Sequence, residues 1–310
     1  MAVQLAHASQ IKGAGIIAAG PWNCARNDVH TATTLYSCTA SLGTCRVNGD
    51  SADVPTLVRA TRAAAAKGLI DDPAHLTRHR VYTFAGGKDG TVPPPVVSQL
   101  GDYYRALGLP REQFNPVVQA DAGHTLPTRD FGNACDVTAE PYLGKCGRDA
   151  AGEILSWIHG PLKAQAPGAA KGRFIQFDQR PYLPKDRWTW SQGMDTSGWL
   201  YVPQSCAKGE PCRLHIALHG CRQGQSYLPL KPLPGGGLYY GITFVKNAGY
   251  DRWADANHLV ILYPQAVSTW NNPNGCWDWW GYTDGHYADR QGLQIRALRA
   301  MVERLAAGAR

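Results

Sequence analysis

No Gly-x-Ser-x-Gly occurs anywhere in the 310 residues, so the sequence does not itself encode the strained strand-to-helix turn that presents a nucleophilic serine. No Cys-x-x-Cys pair occurs either, which excludes zinc-ribbon and thioredoxin-type readings. Dense basic runs are missing. The net charge of +7, from 31 basic and 24 acidic residues, is scattered along the chain. That pattern argues for an ordinary basic surface and against a nucleic-acid partner, which needs clustered charge. No apolar run approaches the ~20 residues of a membrane-spanning helix, so no membrane partner is expected. Internal repeats and low-complexity tracts are absent as well.

What is present describes a loop-rich globular protein. Hydrophobic residues make up 44% of the chain, with 34 glycines and 21 prolines. Nine cysteines sit at short spacings: Cys24, Cys38 and Cys45; Cys135 and Cys146; Cys206 and Cys212; then Cys221 and Cys276. Local pairs of this kind suggest disulfides made in an oxidising compartment. The preferred pairs are Cys135–Cys146, Cys206–Cys212 and Cys221–Cys276. Cys24 is expected to join Cys38 or Cys45, leaving one thiol over. Yet the chain opens on Met1-Ala-Val-Gln-Leu-Ala-His-Ala-Ser9, a helix-interior pattern with no cap, no charged lead-in and no cleavage site. Export-type cysteines without an export signal are reconciled if the chain is truncated at its N-terminus, and that is the expectation.

Apolar strands alternate with helical periods in the α/β manner. A helix from Met1 to about Ser9 precedes a strand over 13–20, and a cysteine-rich loop runs to about Asp53. A helix over 54–67, a strand over 79–85, a helix over 93–107 and a strand over 116–120 follow. Residues 150–159 are amphipathic helix. Residues 160–195, rich in Pro, Lys and aromatics, read as irregular strands and loop. Strands over 198–202 and 213–218, a helix over 243–257 and a strand over 258–263 come next. A Trp-rich loop covers 268–285, and a helix of roughly 290–306 ends the chain.

Three positions after these strands carry chemistry. Asp89 lies in Ala85-Gly-Gly-Lys-Asp-Gly-Thr-Val92, directly after a strand, where a triad acid orients its histidine. Taken alone it is an ordinary Asp-Gly turn. His124, in Ala120-Asp-Ala-Gly-His-Thr-Leu-Pro127, follows the next strand and suits a general base. On its own it reads as a hydrogen-bonded loop histidine, but its order after Asp89 across one helix favours the functional reading. Asp121, on the same loop, is the rival acid and ranks lower. Leu218-His-Gly-Cys221 ends a buried strand as an oxyanion-type loop does, with the Cys221 amide as one donor. Ser9, Ser51 and Ser197 are the hydroxyls to consider as nucleophiles, and none is flanked by the two glycines of an elbow. His75-Leu-Thr-Arg-His79 has the spacing of a helical metal pair but lacks the Glu, so it reads as structural. The glycines from Gly235 form a loop with no Lys or Ser/Thr for a phosphate.

The order Asp, His, then His-Gly is rotated relative to ordinary α/β-hydrolases. In combination, several stretches resemble the circularly permuted extracellular polyhydroxybutyrate depolymerases of the single-domain type, over nearly all of the chain. They are 18–26 (AAGPWNCAR), 86–92 (GGKDGTV), 123–128 (GHTLPT), 193–198 (GMDTSG), 201–206 (YVPQSC), 218–223 (LHGCRQ) and 274–279 (NGCWDW). The resemblance implies one permuted α/β-hydrolase domain over 1–310, a mostly parallel sheet flanked by helices that lacks the nucleophile-elbow strand. Residues 1–160 would carry Asp89 and His124, and 197–310 the oxyanion and Trp loops.

The family's elbow reads G-x-S-S-G-G-Y-M-A, and its Met-Ala aligns with Met1-Ala2, which places the serine roughly five residues before Met1. The resemblance therefore implies Asp89 and His124 as acid and base and the Cys221 amide as oxyanion donor. The nucleophile lies outside the chain, so the chain as numbered is expected to be inactive. The implied substrate is poly(3-hydroxybutyrate) or a related polyester or oligomer. Aromatic faces suit such a chain, and Trp279, then Trp277, then Trp280 are expected to wall it. A secreted or periplasmic monomer with no cofactor and no metal is expected. Two alternatives stand beside it: another secreted carboxylesterase, such as a feruloyl or acetyl esterase, and a catalytically dead polyester-binding protein.

Overall fold

The computed structural model describes residues 1–39, 45–47, 53–164, 170–231, 233 and 237–308. The chain begins with α1 (Ala2–Ala6), β1 (Gly13–Ile17) and α2 (Val29–Thr31), which runs into a π-turn at Ala32–Tyr36. Then come α3 (Val54–Ala66), β2 (Arg80–Gly86), α4 (Pro94–Ala106) and β3 (Phe114–Gln119). Three short strands, β4 (Leu126–Thr128), β5 (Asn133–Ala134) and β6 (Leu143–Lys145), precede α5 (Ala150–His159). The rest comprises β7 (Arg173–Asp178), β8 (Ser197–Val202), α6 (Gln204–Ala207), β9 (Arg213–Ile216), α7 (Thr243–Asn247), α8 (Tyr250–Asn257), β10 (Leu259–Tyr263) and α9 (Leu293–Ala306). Ser51, Gly235 and Gly236 lie outside the described residues.

Local chemistry sets these boundaries. Asp53 and Asp149 cap α3 and α5 by accepting from the amides of Thr56 and Gly152. Prolines occupy the first turn of α3 and α4, where no amide donor is needed. The strand expected over 13–20 stops at Ile17 because Ala18 turns to a φ of 47°. The single helix expected over 243–257 is two, broken where Gly249 takes a φ of 90°. The final helix begins at Leu293, after a turn in which Asp289 Oδ1 accepts from the Gln291 amide.

The strands form two larger sheets. One is all parallel in the order β1-β2-β3, with Gly13 opposite Arg80 and Val81 opposite Phe114. The other runs β7-β8-β10-β9, with β8 antiparallel to both neighbours and β10 parallel to β9. Numbered from β7, that order is 1-2-4-3. Among the described residues β1 and β3 end one sheet and β7 and β9 the other, each keeping one edge without a strand partner. His159 at the end of α5 lies within electrostatic reach of both Arg213 on β9 and Lys12 just before β1.

The early and late parts of the chain are tied together. The indole N–H of Trp22 donates to the Ala288 carbonyl at 2.7 Å, and Arg290 pairs with Asp71 at 2.6 Å. Leu5, Tyr104 and Tyr287 share one buried core. The cysteines pair as Cys38–Cys45, Cys135–Cys146, Cys206–Cys212 and Cys221–Cys276. This corrects the expected partner of Cys24. Its thiol is buried in the first core beneath Gly20, while Cys38 and Cys45 have Cα atoms 4.8 Å apart. Burial pushes the Cys24 thiol up to about 12, far from thiolate reactivity.

Candidate active site

Backbone-to-backbone packing brings Asp89 and His124 together. The loops after β2 and β3 lie so close that a Cβ at Gly86 would come within 2.4 Å of the Gly123 carbonyl. One at Gly87 would come within 2.5 Å of the Ala120 carbonyl. Only glycine allows this approach. The amides of Gly87 and Lys88 donate across to Gln119 and Ala122, each at 2.8 Å, which locks the two loops together.

Within that clamp the Asp89 side chain is fully buried and its oxygens divide their work. Oδ1 accepts from the amides of Thr91 and Val92, each at 2.8 Å. Oδ2 accepts from Nδ1–H of His124 at 2.8 Å. A carboxylate oxygen here only accepts, so Nδ1 carries the proton of this bond, and among the described residues Nε2 has no hydrogen-bond partner. The His124 side chain keeps 27% of its surface open. Its backbone amide donates to Thr138 Oγ1, and the edge of Tyr142 rests against its ring, 6.1 Å between centroids. Asp121 is exposed and does not pair with His124.

The Leu218–Gln223 loop approaches from the other sheet. His219 is its post: Nδ1–H donates to the Gly220 carbonyl at 2.7 Å and Nε2 accepts from the Ala266 amide at 3.0 Å. Burial lowers its pKa to about 4, so the ring is neutral and structural. Gln223 accepts from the Gly220 amide at 2.7 Å and donates to the carbonyls of Pro141 and Tyr142. This single amide side chain therefore joins the Cys221 loop to the segment that holds His124. The disulfide to Cys276 and the bond from the Arg222 amide to the Asn274 carbonyl fix the Cys221–Arg222 peptide from the Trp loop. Among the described residues the Cys221 amide has no acceptor.

The tryptophans divide. Trp277 packs on the His219 ring at 5.5 Å. Trp279 packs on the first core and meets Trp280 edge-on, and Trp280 leans on Tyr282. Asp278, buried among them, accepts from the amides of Trp280, Gly281, Tyr282 and Thr283. Trp270, on the same loop and unremarked in the sequence, is 97% exposed. Ser9 Oγ is bonded to Asp71, and Ser197 Oγ accepts from Gln176 and Gln225. No hydroxyl among the described residues bonds to Nε2 of His124. His79 spends its ring nitrogens on Gln4 and the Ala8 carbonyl. Gln223, Thr138 and Tyr142 were not legible as site residues, because each acts across more than ten positions of sequence.

The fold defines the class: a circularly permuted α/β-hydrolase with mostly parallel sheets flanked by helices. No protein-family model matches the chain. A poly(3-hydroxybutyrate) depolymerase of Delftia acidovorans is 36% identical over 316 residues, covering 99% of this chain and 58% of its own length. A polyhydroxybutyrate depolymerase of Talaromyces funiculosus is 35% identical over 317 residues, covering 96% and 82%. The chain thus spans little more than half of the Delftia protein. A solved PHB depolymerase carrying a serine-to-alanine change, complexed with an R3HB trimer, superposes with a TM-score of 0.83 at 32% identity, covering 100% of this chain and 92% of that one. The PHB depolymerase from Penicillium funiculosum gives 0.80 at 32% identity, covering 97% and 90%. The chain belongs to the polyhydroxybutyrate depolymerase family.

Proposed function

We propose that this chain is the catalytic domain, one permuted unit over 1–310, of a secreted, monomeric serine-type esterase that cleaves poly(3-hydroxybutyrate) and its oligomers without metal or cofactor. The observation that carries the reading is the buried Asp89 carboxylate fixing Nδ1–H of His124 while Nε2 stays free. In that role Nε2 takes the proton of a serine hydroxyl as its oxygen attacks the ester carbonyl, then returns it to the leaving alkoxide oxygen. Asp89 holds the ring and stabilises its charged form. The Cys221 amide donates to the tetrahedral oxyanion. Water then repeats the cycle on the acyl-enzyme. Trp279, Trp277 and Trp280 wall the polyester, a role supported by their partial exposure and by the disulfide that ties their loop to Cys221. The bound R3HB trimer of a solved relative supports an oligomeric ester as ligand.

The same reading assigns the nucleophile to a strand that pairs with the open edges of β9 and β1 and is supplied by sequence preceding Met1. Both edges and the unpaired Nε2 support it. The test is direct. Residues 1–310 alone should show no burst with an aryl ester and no labelling by a serine-directed phosphonate. The protein extended by an upstream Gly-x-Ser-Ser-Gly-Gly-Tyr strand should release 3-hydroxybutyrate from the trimer and lose this with His124→Ala. Trimer binding by the extended protein without acid release would instead favour a polyester-binding role. Stoichiometric labelling of residues 1–310 would overturn the assignment of the serine.

A further inference from the structure

The side chain of Arg222 is unused by the scheme above, yet it ties the Trp loop to the segment beside His124. Arg222 follows the oxyanion amide by one residue and sits at a φ of 63°, in the left-handed region where a side chain is disfavoured and glycine is the natural occupant. Tyr142, which touches the ring of His124, is likewise left-handed, at a φ of 54°. Two strained residues on different loops therefore flank the reacting groups. Such strain persists where the surroundings over-determine it.

Three segments meet at Arg222. Its Nε donates to Asn274 Oδ1 at 3.0 Å, beside the Cys221–Cys276 bridge. Its Nη1 donates to Glu140 Oε1 at 3.4 Å, where the carboxylate side chain is only 12% exposed. The Tyr142 side chain lies within electrostatic reach of the guanidinium. We propose that Arg222 is a positioning residue that locks the Cys221 amide and the His124 ring into one unit, through Glu140 and Tyr142. The proposal rests on the hydrolase reading. Gln223 straps the same two loops in parallel, so the fold does not depend on Arg222 alone.

Glycine at 222 separates positioning from support, because it relieves the backbone while deleting the side chain. In the extended, ester-cleaving protein, Arg222→Gly should lower kcat on the soluble trimer roughly tenfold to hundredfold with KM unchanged. Its Tm should hold or rise. Glu140→Gln should shift kcat in the same direction by less. The double variant should be no worse than Arg222→Gly, since both act through one path. In residues 1–310, the NMR signals of the His124 ring should move or broaden in either variant. That measurement needs no turnover, so it decides the positioning role even if the extended protein cleaves nothing. An unchanged kcat in both variants, additive losses, or unmoved His124 signals would each overturn the proposal. If Arg222→Gly fails to fold, the parallel strap is refuted, and Glu140→Gln still reads the coupling.

Discussion

At the scale of single residues, two histidines of the site are held for opposite ends. His219 is sealed off, with both nitrogens spent on backbone groups. His124 spends one nitrogen on a carboxylate, and the other has no partner among the described residues. The difference lies in what Nδ1–H meets and in how much of the ring reaches solvent. Asp89→Asn should test this with little loss of stability, because the Asn carbonyl oxygen still accepts from Thr91 and Val92. The side-chain NH2 would then face Nδ1 and force the proton to Nε2. The nitrogen shifts of His124 should report the swapped tautomer. In the extended protein kcat should fall by roughly 10⁴-fold, the loss found when a triad histidine adopts the wrong tautomer.

At the scale of elements, close approaches decide how the layers seat. Gly152 lies inside α5, where glycine is a poor choice by helix propensity. A Cβ there would stand 2.5 Å from the Trp253 indole. The indole N–H donates to Asp149 Oδ2 at 2.9 Å, while Oδ1 of the same carboxylate caps α5. The bare backbone thus lets Trp253 of α8 lie across the start of α5 and share its cap. Gly152→Ala should gain about 1 kcal/mol of helix propensity and lose about 1–3 kcal/mol to overpacking. A net loss of stability is expected in urea unfolding, and a stabilised variant would refute the close packing. The element boundaries were legible where glycine, proline or aspartate marks them, as at Asp53, Asp149 and Pro94. The split at Gly249 was not, because the apolar period continues across it on both sides.

For the whole molecule, burial of histidines sets the response to acid. Burial lowers His215 to about 3 and His159 and His219 to about 4, with Arg213 and Lys12 adding to the shift at His159. The unfolded chain binds protons at these sites near the ordinary 6.5 while the folded one does not. Their stabilising contribution is therefore complete above pH 6.5 and lost as pH falls toward about 4. His286, raised by Asp289, has the opposite sign but is exposed. The Tm should be level above pH 6.5 and decline through that window. A level Tm down to pH 4 would contradict neutral buried rings.

The sequence by itself determined what is local. Cysteines six and eleven residues apart pair as their spacing suggests, glycines mark the two clamped loops, and the Asp-then-His order follows from a β-α-β repeat. It could not decide the fate of Cys24, since burial in a shared core depends on residues as distant as Tyr287. It ranked Asp89 above Asp121 but could not find Gln223, Tyr142 and Arg222. Those contacts span about eighty residues and come from two different sheets. Periodicity and spacing report on neighbours along the chain. Only the packed layers determine which loop ends meet, and here that meeting is the site.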